Sequence, residues 1–137
     1  MSDEEPSDGL FAYGTLRFPE VLEMLLGRVP EMAPARAAGW RVRALPGVVY
    51  PGLVADPSGV AEGVLISGLD AAETRLLDAY EDAEYDVAVL PLDGGRRGRA
   101  YLWRGAAEPF DWDAARFAER ELRRFVDSVR PWRLAFE

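Results

Sequence analysis

Glu81 is the carboxylate whose position in this sequence best suits proton transfer. It lies four residues after Leu77, so on a helix it continues an apolar stripe instead of facing water. It also falls at the end of a predicted helix, where the partial negative charge of the helix disfavours another anion. Burial and like charges both raise a carboxyl pKa, and a glutamate shifted in this way can exchange a proton near neutral pH.

An exposed acidic corner is the alternative for Glu81. Four more acidic residues lie close to it in the sequence, namely Asp78, Asp82, Glu84 and Asp86. Sequence alone favours the exposed alternative, because charged side chains are usually solvated. A carboxylate-bound Mg²⁺ or Ca²⁺ ion is a more distant alternative, since the stretch 78–86 lacks the alternation and the glycine of a calcium loop.

A second candidate feature is the run Phe11-Ala12-Tyr13-Gly14-Thr15-Leu16, which predicts a strand entering a glycine turn before a helix. Such a turn can present successive backbone amides to a carboxylate or an oxyanion. On its own this run does not establish an anion-binding site, because most strand-glycine turns only reverse the chain. The run also lacks the serine elbow, the Walker loop and the dinucleotide glycine pattern, which disfavours hydrolase and nucleotide-binding functions.

Histidine and cysteine are absent from the sequence. Ser-His-Asp and Cys-His relays, zinc sites and iron–sulfur sites are therefore excluded, and acid–base chemistry falls to carboxylates and tyrosines. The net charge of −8 argues against a general affinity for nucleic acid. Three arginines, Arg96, Arg97 and Arg99, flank a predicted hairpin turn, and we expect them to be solvated there.

A chain of 137 residues predicts one domain with a core of its own. Residues 1–8 are acidic and contain Pro6, which predicts a disordered tail, with residues 9–137 forming the single domain and order beginning at Leu10. No basic and apolar leader is present, and no apolar run approaches the ~20 residues that a bilayer requires. We therefore expect a cytoplasmic protein with neither membrane nor nucleic acid as partner.

The distribution of apolar residues and turn signals predicts an α+β fold. A strand over Leu10–Tyr13 is followed by a helix that starts at Pro19 and ends at Gly27. Glycine and proline punctuation predicts short strands in the middle of the chain, at Ala37–Leu45, Val48–Tyr50, Leu53–Ala55 and Val60–Ser67. The result is a small mixed sheet, mostly antiparallel and curled, with flanking helices.

The second half of the chain predicts two helices around a hairpin. Asp70 and Glu73 form the capping-box pattern at the start of the first helix. Strands over Tyr85–Leu92 and Arg99–Trp103 are joined across Asp93–Gly95. A long final helix is predicted to be capped by Asp111 and stopped by Pro131.

Three motifs resemble those of the gamma-glutamylcyclotransferase-like superfamily, in the same order and spacing. They are Tyr13-Gly14-Thr15-Leu16, Tyr50-Pro51-Gly52, and Leu77-Asp78-Ala79-Tyr80-Glu81-Asp82 followed by Tyr85. The similarity spans about residues 10–104 and is strongest to the branch of plant avirulence-induced proteins and their bacterial relatives. It implies a barrel-like α+β fold with a central cavity.

The resemblance also implies a site and a reaction. Glu81 matches the catalytic acid–base, and the turn at 13–16 matches the backbone amides that bind the substrate's α-carboxylate. We accordingly predict that Tyr13, Gly14, Thr15, Leu16 and Tyr85 bind substrate, although strand tyrosines are at least as often core residues.

In the implied reaction the α-amine of a γ-glutamyl amide attacks its own γ-carbonyl, which gives 5-oxoproline and a free amine or amino acid. No cofactor is required, and the predicted partner is the small γ-glutamyl substrate alone. Many relatives carry an arginine two residues after the motif's second tyrosine, where this chain has Val87. A relative that binds a small ligand without turnover therefore remains the alternative, and a purely structural or regulatory role is a third. The leaving group and the oligomeric state are left open.

Overall fold

The computed structural model describes residues 7–81 and 85–136. Five strands of one sheet and four helices make up the regular structure of this part of the chain. The strands are β1 Leu10–Ala12, β2 Glu31–Ala44, β3 Pro51–Ser67, β4 Tyr85–Pro91 and β5 Arg97–Trp103. The helices are α1 Pro19–Leu26, α2 Ala71–Glu81, α3 Ala114–Arg120 and α4 Leu122–Ala135.

The sheet has the strand order β2-β3-β1-β5-β4, and only the β1–β5 pair among these strands is parallel. The sheet is curled, so that the turn of the β4–β5 hairpin contacts β2, the strand at the opposite edge of the sheet. The Asp93 carboxylate accepts the Arg36 backbone N–H at 2.8 Å, and the Arg96 guanidinium donates to the Pro34 carbonyl at 3.0 Å. The predicted α+β class and the curled, mostly antiparallel sheet are confirmed. Arg96, which the sequence predicted to be solvated, instead helps to close the sheet.

Strand β1 lies at the centre of the sheet and is buried on both faces. Its alternating side chains enter two separate cores. Leu10 and Ala12 pack in the core between the sheet and the helices, whereas Phe11 packs inside the curl of the sheet, as does Tyr13 directly after the strand. The end of β1 is therefore held rigidly from both sides.

The middle of the chain forms one long hairpin in place of the predicted short strands. β2 runs for 14 residues and β3 for 17, and the segment Val48–Tyr50 lies in the connection between them and not in a strand. Cross-strand pairing overrides the glycine and proline punctuation: Pro34, Gly52 and Gly63 all lie in register, and the pairing is interrupted at one place. Residues 56–59 loop out of register opposite Gly39, and the Asp56 carboxylate accepts the Ser58 N–H there at 3.1 Å.

The first two helices begin and end as predicted. Gly27, in the left-handed region at φ 77°, ends α1. At the start of α2 the Glu73 N–H donates to the Asp70 carboxylate at 2.7 Å, and the Asp70 N–H donates to Glu73 at 3.1 Å. The capping box is confirmed, and it fixes the direction in which α2 runs towards its last residue, Glu81.

The predicted final helix is in fact two helices. Asp113 caps α3 by accepting the Arg116 N–H at 3.0 Å, whereas Asp111 forms a bridge with Arg43. The chain breaks at Glu121, whose dihedral angles are φ −120° and ψ −26°. Pro131 lies within α4 instead of ending it. Pro131 is exposed, so water can hydrate the carbonyl whose helical hydrogen bond the proline removes.

Of the predicted tail, the structure describes residues 7 and 8. The Asp8 N–H donates to the Arg97 carbonyl and the Arg97 N–H donates to the Asp8 carboxylate, both at 2.8 Å, so Asp8 pairs with the start of β5. Residues 1–6 lie outside the described residues. None of the helices described is long and apolar enough to cross a membrane.

We expect the substitution Gly63→Ala to destabilise the fold strongly. A Cβ atom at Gly63 would lie 2.3 Å from the carbonyl oxygen of Ala12, so β1 and β3 would have to separate. The expected loss is about 1–3 kcal/mol of unfolding free energy, measured by urea denaturation. Glu62→Ala is the control, because Glu62 forms only an exposed ion pair, and its expected effect is within about 0.5 kcal/mol. Equal midpoints for the two variants would contradict the packing argument.

Candidate functional site

A cavity of about 310 Å³ opens where the end of β1 meets α2 and α4. Every tyrosine of the chain lies in its wall: Tyr13, Tyr50, Tyr80, Tyr85 and Tyr101. Among the described residues that line it, Glu81 is the only charged one. The wall is thus largely aromatic and apolar around a single carboxylate.

The structure brings all six residues of the predicted site together in this cavity. Glu81 ends α2, and the others come from the turn after β1 and from the start of β4: Tyr13, Gly14, Thr15, Leu16 and Tyr85. Sequence reasoning did not assign a site role to Phe125 and Val129, which α4 adds to the wall. Their helical spacing is that of ordinary core residues, so no local signal distinguished them.

The Glu81 carboxyl group is buried, although the residue as a whole retains some exposed surface. Within residues 7–81 and 85–136, no hydrogen bond or ion pair reaches that carboxyl group. Its burial, and secondarily the nearby Asp78 carboxylate, raise the pKa of Glu81 to about 8. The exposed acidic corner that the sequence favoured is therefore wrong for Glu81.

Asp78, one helical turn before Glu81, ties the end of α2 to β5. Its carboxylate accepts two hydrogen bonds from the Arg99 guanidinium, at 2.9 and 3.0 Å, and one from the Tyr101 hydroxyl at 2.6 Å. A bidentate arginine and a tyrosine restrain both the position and the rotation of this last turn. The contacts of Asp78 thus keep Glu81 at the cavity.

The tyrosine hydroxyls are largely engaged by the protein itself. Tyr13 donates to the Tyr101 carbonyl at 2.5 Å, and Tyr85 donates to the Pro51 carbonyl at 3.1 Å. Tyr80 shares a hydrogen bond of 2.9 Å with the Thr15 hydroxyl. Burial is the main cause that raises the pKa values of Tyr13, Tyr80 and Tyr101 above the usual tyrosine range. These side chains therefore remain neutral and contribute rings and hydroxyl oxygens to the wall.

The turn after β1 requires glycine at position 14 because Pro51 crosses it closely. A Cβ atom at Gly14 would lie 2.9 Å from the Pro51 ring. A short 3-10 turn, Thr15–Arg17, follows directly. In the part of the chain that the structure describes, no carbonyl or side chain accepts the backbone N–H of Thr15 or Leu16. First-turn amides of this kind are donors that a ligand can use.

Comparison with known proteins identifies the family. The family model described as gamma-glutamyl cyclotransferase, AIG2-like, matches residues 10–121. The chain belongs to this family. It is 33% identical to AIG2-like protein C of Arabidopsis thaliana over 129 residues, which cover 88% of this chain and 75% of that relative. It is 28% identical to protein AIG2 C of the same plant, covering 95% and 84% of the two chains.

Solved structures agree with this gamma-glutamyl cyclotransferase, AIG2-like assignment. A solution structure from Arabidopsis thaliana superposes with a TM-score of 0.67 at 25% identity and covers 96% of this chain and 86% of that one. A structure named gamma-glutamyl cyclotransferase superposes with a TM-score of 0.59 at 14% identity, covering 93% and 86%, and shows the shared fold. The predicted superfamily is confirmed.

Val87, the position singled out by sequence where many relatives carry an arginine, lies away from the cavity wall of this family member. It is 45% exposed on β4, where it pairs with Tyr101, and it is not among the described residues that line the cavity. Tyr50 and Pro51, from the second motif, do lie in the wall.

We expect Asp78→Asn to destabilise the protein by about 1–3 kcal/mol. It removes the carboxylate that accepts two hydrogen bonds from the Arg99 guanidinium and one from the Tyr101 hydroxyl, and so weakens the contacts that hold the last turn of α2 on β5. Asp86→Asn is the control, because the Asp86–Arg104 pair is more than half exposed on both sides and should change stability by less than about 0.5 kcal/mol. Thermal or urea unfolding compares the two, and similar losses would disprove the proposed tie between α2 and β5.

We expect Glu81→Gln to stabilise the protein at alkaline pH and not at acidic pH. Because the folded-state pKa is about 8 against an ordinary value of 4.5, the contribution of Glu81 to stability is fully present below pH 4.5 and is lost as the pH rises through 8. Glutamine imitates the neutral acid and escapes this loss. The expected gain is about 1–3 kcal/mol at pH 8.5 and near zero at pH 4, because water in the cavity screens part of the shift.

Urea unfolding of the wild type and of Glu81→Gln across this pH range measures the difference. Glu119→Gln, at an exposed position of α3, serves as the control and should show no comparable pH-dependent gain. A constant difference between the wild type and Glu81→Gln would show that the Glu81 pKa is not raised.

Proposed function

We propose that this protein is a cyclotransferase that cleaves γ-glutamyl amides into 5-oxoproline and a free amine. The observation that carries the proposal is the carboxylate of Glu81, the only charged group among the described residues of the cavity wall, which lies beside the glycine turn and has no hydrogen-bond or ion-pair partner among the described residues. A group with a pKa of about 8 holds and releases a proton at the pH of most cells. The similarity to the gamma-glutamyl cyclotransferase, AIG2-like family supports the same reaction class.

The polar part of the cavity suits the glutamyl end of such a substrate. We place the α-carboxylate at the Thr15 and Leu16 amides, which have no acceptor in the described residues. We place the α-ammonium group towards the Glu81 carboxylate. The hydroxyl oxygen of Tyr13 has its own proton donated elsewhere and can accept from that ammonium. The two substrate charges are thereby matched at opposite sides of one small space.

The reaction needs no protein nucleophile, and Glu81 can carry each of its protons. Ionised Glu81 takes a proton from the α-ammonium, and the neutral nitrogen attacks the γ-carbonyl carbon to close a five-membered ring. Glu81 gives this proton to the leaving nitrogen and takes the second proton from the ring nitrogen, and the bond between the carbon and the leaving nitrogen breaks to form a neutral lactam and a free amine. The amine then takes the second proton from Glu81, which is ionised again. Binding in the folded conformation supplies much of the rate, since aligned intramolecular reactions reach effective molarities of about 10⁵–10⁸ M.

A protein that binds the γ-glutamyl compound without turnover is the second candidate. It is favoured by one observation: the protons of Tyr13, Tyr85 and Tyr101 are already donated within the protein. None of these three hydroxyl protons is available to stabilise the oxyanion of a tetrahedral adduct. The test of the enzyme proposal also decides between the two candidates.

Incubation with a panel of γ-glutamyl amines and γ-glutamyl dipeptides should give 5-oxoproline, detected by mass spectrometry. We expect Glu81→Gln to lower kcat by at least about 10³-fold, because general acid and base catalysis are lost together. The control Glu119→Gln should retain the wild-type rate. In the wild type, kcat/KM should rise with pH up to about pH 8, as Glu81 ionises.

Full activity of Glu81→Gln would disprove the role given to this residue. If the folded wild type binds members of the panel, as shown by calorimetry, but releases no 5-oxoproline, the second candidate is correct. Absence of both binding and turnover would remove both candidates.

A further inference from the structure

Glu81 shares its face of α2 with a second carboxylate. Asp78 lies three residues earlier, so the two side chains leave the helix on the same side, with their Cβ atoms about 5–6 Å apart. The Arg99 guanidinium binds the Asp78 carboxylate through two hydrogen bonds, at 2.9 and 3.0 Å. One arginine of β5 thus faces two carboxylates of α2, and it pairs with the one that is not among the described residues lining the cavity.

Arg99 packs against a residue of the cavity wall and is not itself among the described residues that line the cavity. That residue is Tyr101, which also lines a second cavity, of about 280 Å³, together with Arg99. The guanidinium carbon lies 5.7 Å from the centre of the Tyr101 ring, and the Tyr101 hydroxyl donates to Asp78 at 2.6 Å. The ring and the Asp78 carboxylate therefore hold this cation away from Glu81.

The other groups around Glu81 cannot supply a positive charge. The titratable groups that face it in the described wall, from the turn after β1, the β2–β3 connection, α2, β4 and β5, are five tyrosines: Tyr13, Tyr50, Tyr80, Tyr85 and Tyr101. Helix α4 contributes Phe125 and Val129 to that wall. Residues 82–84, which follow Glu81 and lie outside the described residues, include no basic one. The arginine held by Asp78 is thus the cation to consider, since its partner lies one helical turn from Glu81.

We propose that Asp78 is a positioning residue of the site: it holds the Arg99 guanidinium on its own carboxylate and so prevents an ion pair between Arg99 and Glu81. This inference rests on the proposed function, because it explains how Glu81 stays available to the substrate. An arginine paired with Glu81 would keep that carboxylate ionised and would compete for it with the substrate ammonium. Burial, and to a smaller extent the charge of Asp78, instead raise the pKa of Glu81 to about 8.

Removal of first one charge and then both charges of the pair tests the proposal. In Asp78→Asn the guanidinium loses its carboxylate on α2, whatever other contacts it keeps, and can turn to Glu81. The pKa of Glu81 should then fall from about 8 to about 7 or lower, because a nearby opposite charge lowers a carboxyl pKa by about 1–3. The double variant Asp78→Asn/Arg99→Gln has no cation in the pair, so its Glu81 pKa should exceed that of Asp78→Asn by about 1 or more.

Carbon-13 NMR of protein labelled at the glutamate carboxyl carbon measures this pKa, and the Glu81 signal is identified by its absence from Glu81→Gln. Asp86→Asn is the control for a lost carboxylate, because the Asp86–Arg104 pair is more than half exposed, and it should leave the pKa of Glu81 unchanged. Asp78→Ser provides a second variant if Asp78→Asn does not fold. An unchanged pKa in Asp78→Asn would overturn the proposal. An equal fall in the single and double variants would do so as well, because loss of the Asp78 charge would then explain it without Arg99.

Activity gives a readout that a merely structural role would not move. At about pH 7.5 we expect kcat of Asp78→Asn for γ-glutamyl amides to fall at least about tenfold, with the rise of kcat/KM moved to lower pH. Asp78→Asn/Arg99→Gln should recover most of this loss. If Asp78 only tied α2 to β5, the double variant would be at least as impaired as the single one, because both members of the tie are gone. A folded double variant that recovers nothing would overturn the positioning role.

The two proposals fail in different ways. If the wild type forms 5-oxoproline but Arg99→Gln does not restore Asp78→Asn, the cyclotransferase function stands and the role given to Asp78 is wrong. If the wild type forms no 5-oxoproline, the function fails, and the NMR titration still decides whether Asp78 keeps Arg99 from Glu81.

Discussion

The rest of this structure depends on one constraint: the Glu81 carboxylate lies in an aromatic cavity and has no hydrogen-bond or ion-pair partner among the residues that the structure describes. Such a group opposes folding at neutral pH, because its burial in the folded protein favours the protonated form, whereas the carboxyl group is ionised in the unfolded chain. Leu76 and Leu77 anchor α2 in the core, and Asp78 ties its last turn to β5 through Arg99. These contacts keep Glu81 in the cavity. Without them its side chain would move towards water.

Strand β1 provides the other fixed side of the site. Its three residues are buried on both faces, so the turn that follows has little freedom, and Pro51 closes over Gly14. The turn amides and the Glu81 carboxyl group therefore face the same small space from two independently anchored elements. Helix α4 completes the wall with hydrocarbon. The cavity thus has a polar side, formed by the turn and Glu81, and an apolar side formed by α4.

Much of the fold follows from local signals in the sequence. The capping box of Asp70 and Glu73 and the glycine at position 27 set helix limits that agree with the structure, because they act through hydrogen bonds and dihedral angles a few residues apart. The long β2–β3 hairpin and the division of the last helix at Glu121 did not follow. The hairpin depends on pairing between residues up to about 36 positions apart, which overrides local propensity. No local signal marks the break at Glu121.

For the site, the sequence by itself determined the chemical inventory and the motifs. Without histidine or cysteine, a carboxylate or a tyrosine had to carry any proton transfer, and the order of the motifs pointed to Glu81 and the turn at 13–16. Only the tertiary structure decided that Glu81 is buried, because the four neighbouring acidic residues made exposure the simpler expectation. It also decided that α4 forms part of the wall. Burial and convergence are properties of segments far apart in the chain, and local spacing carries no information about which of them meet.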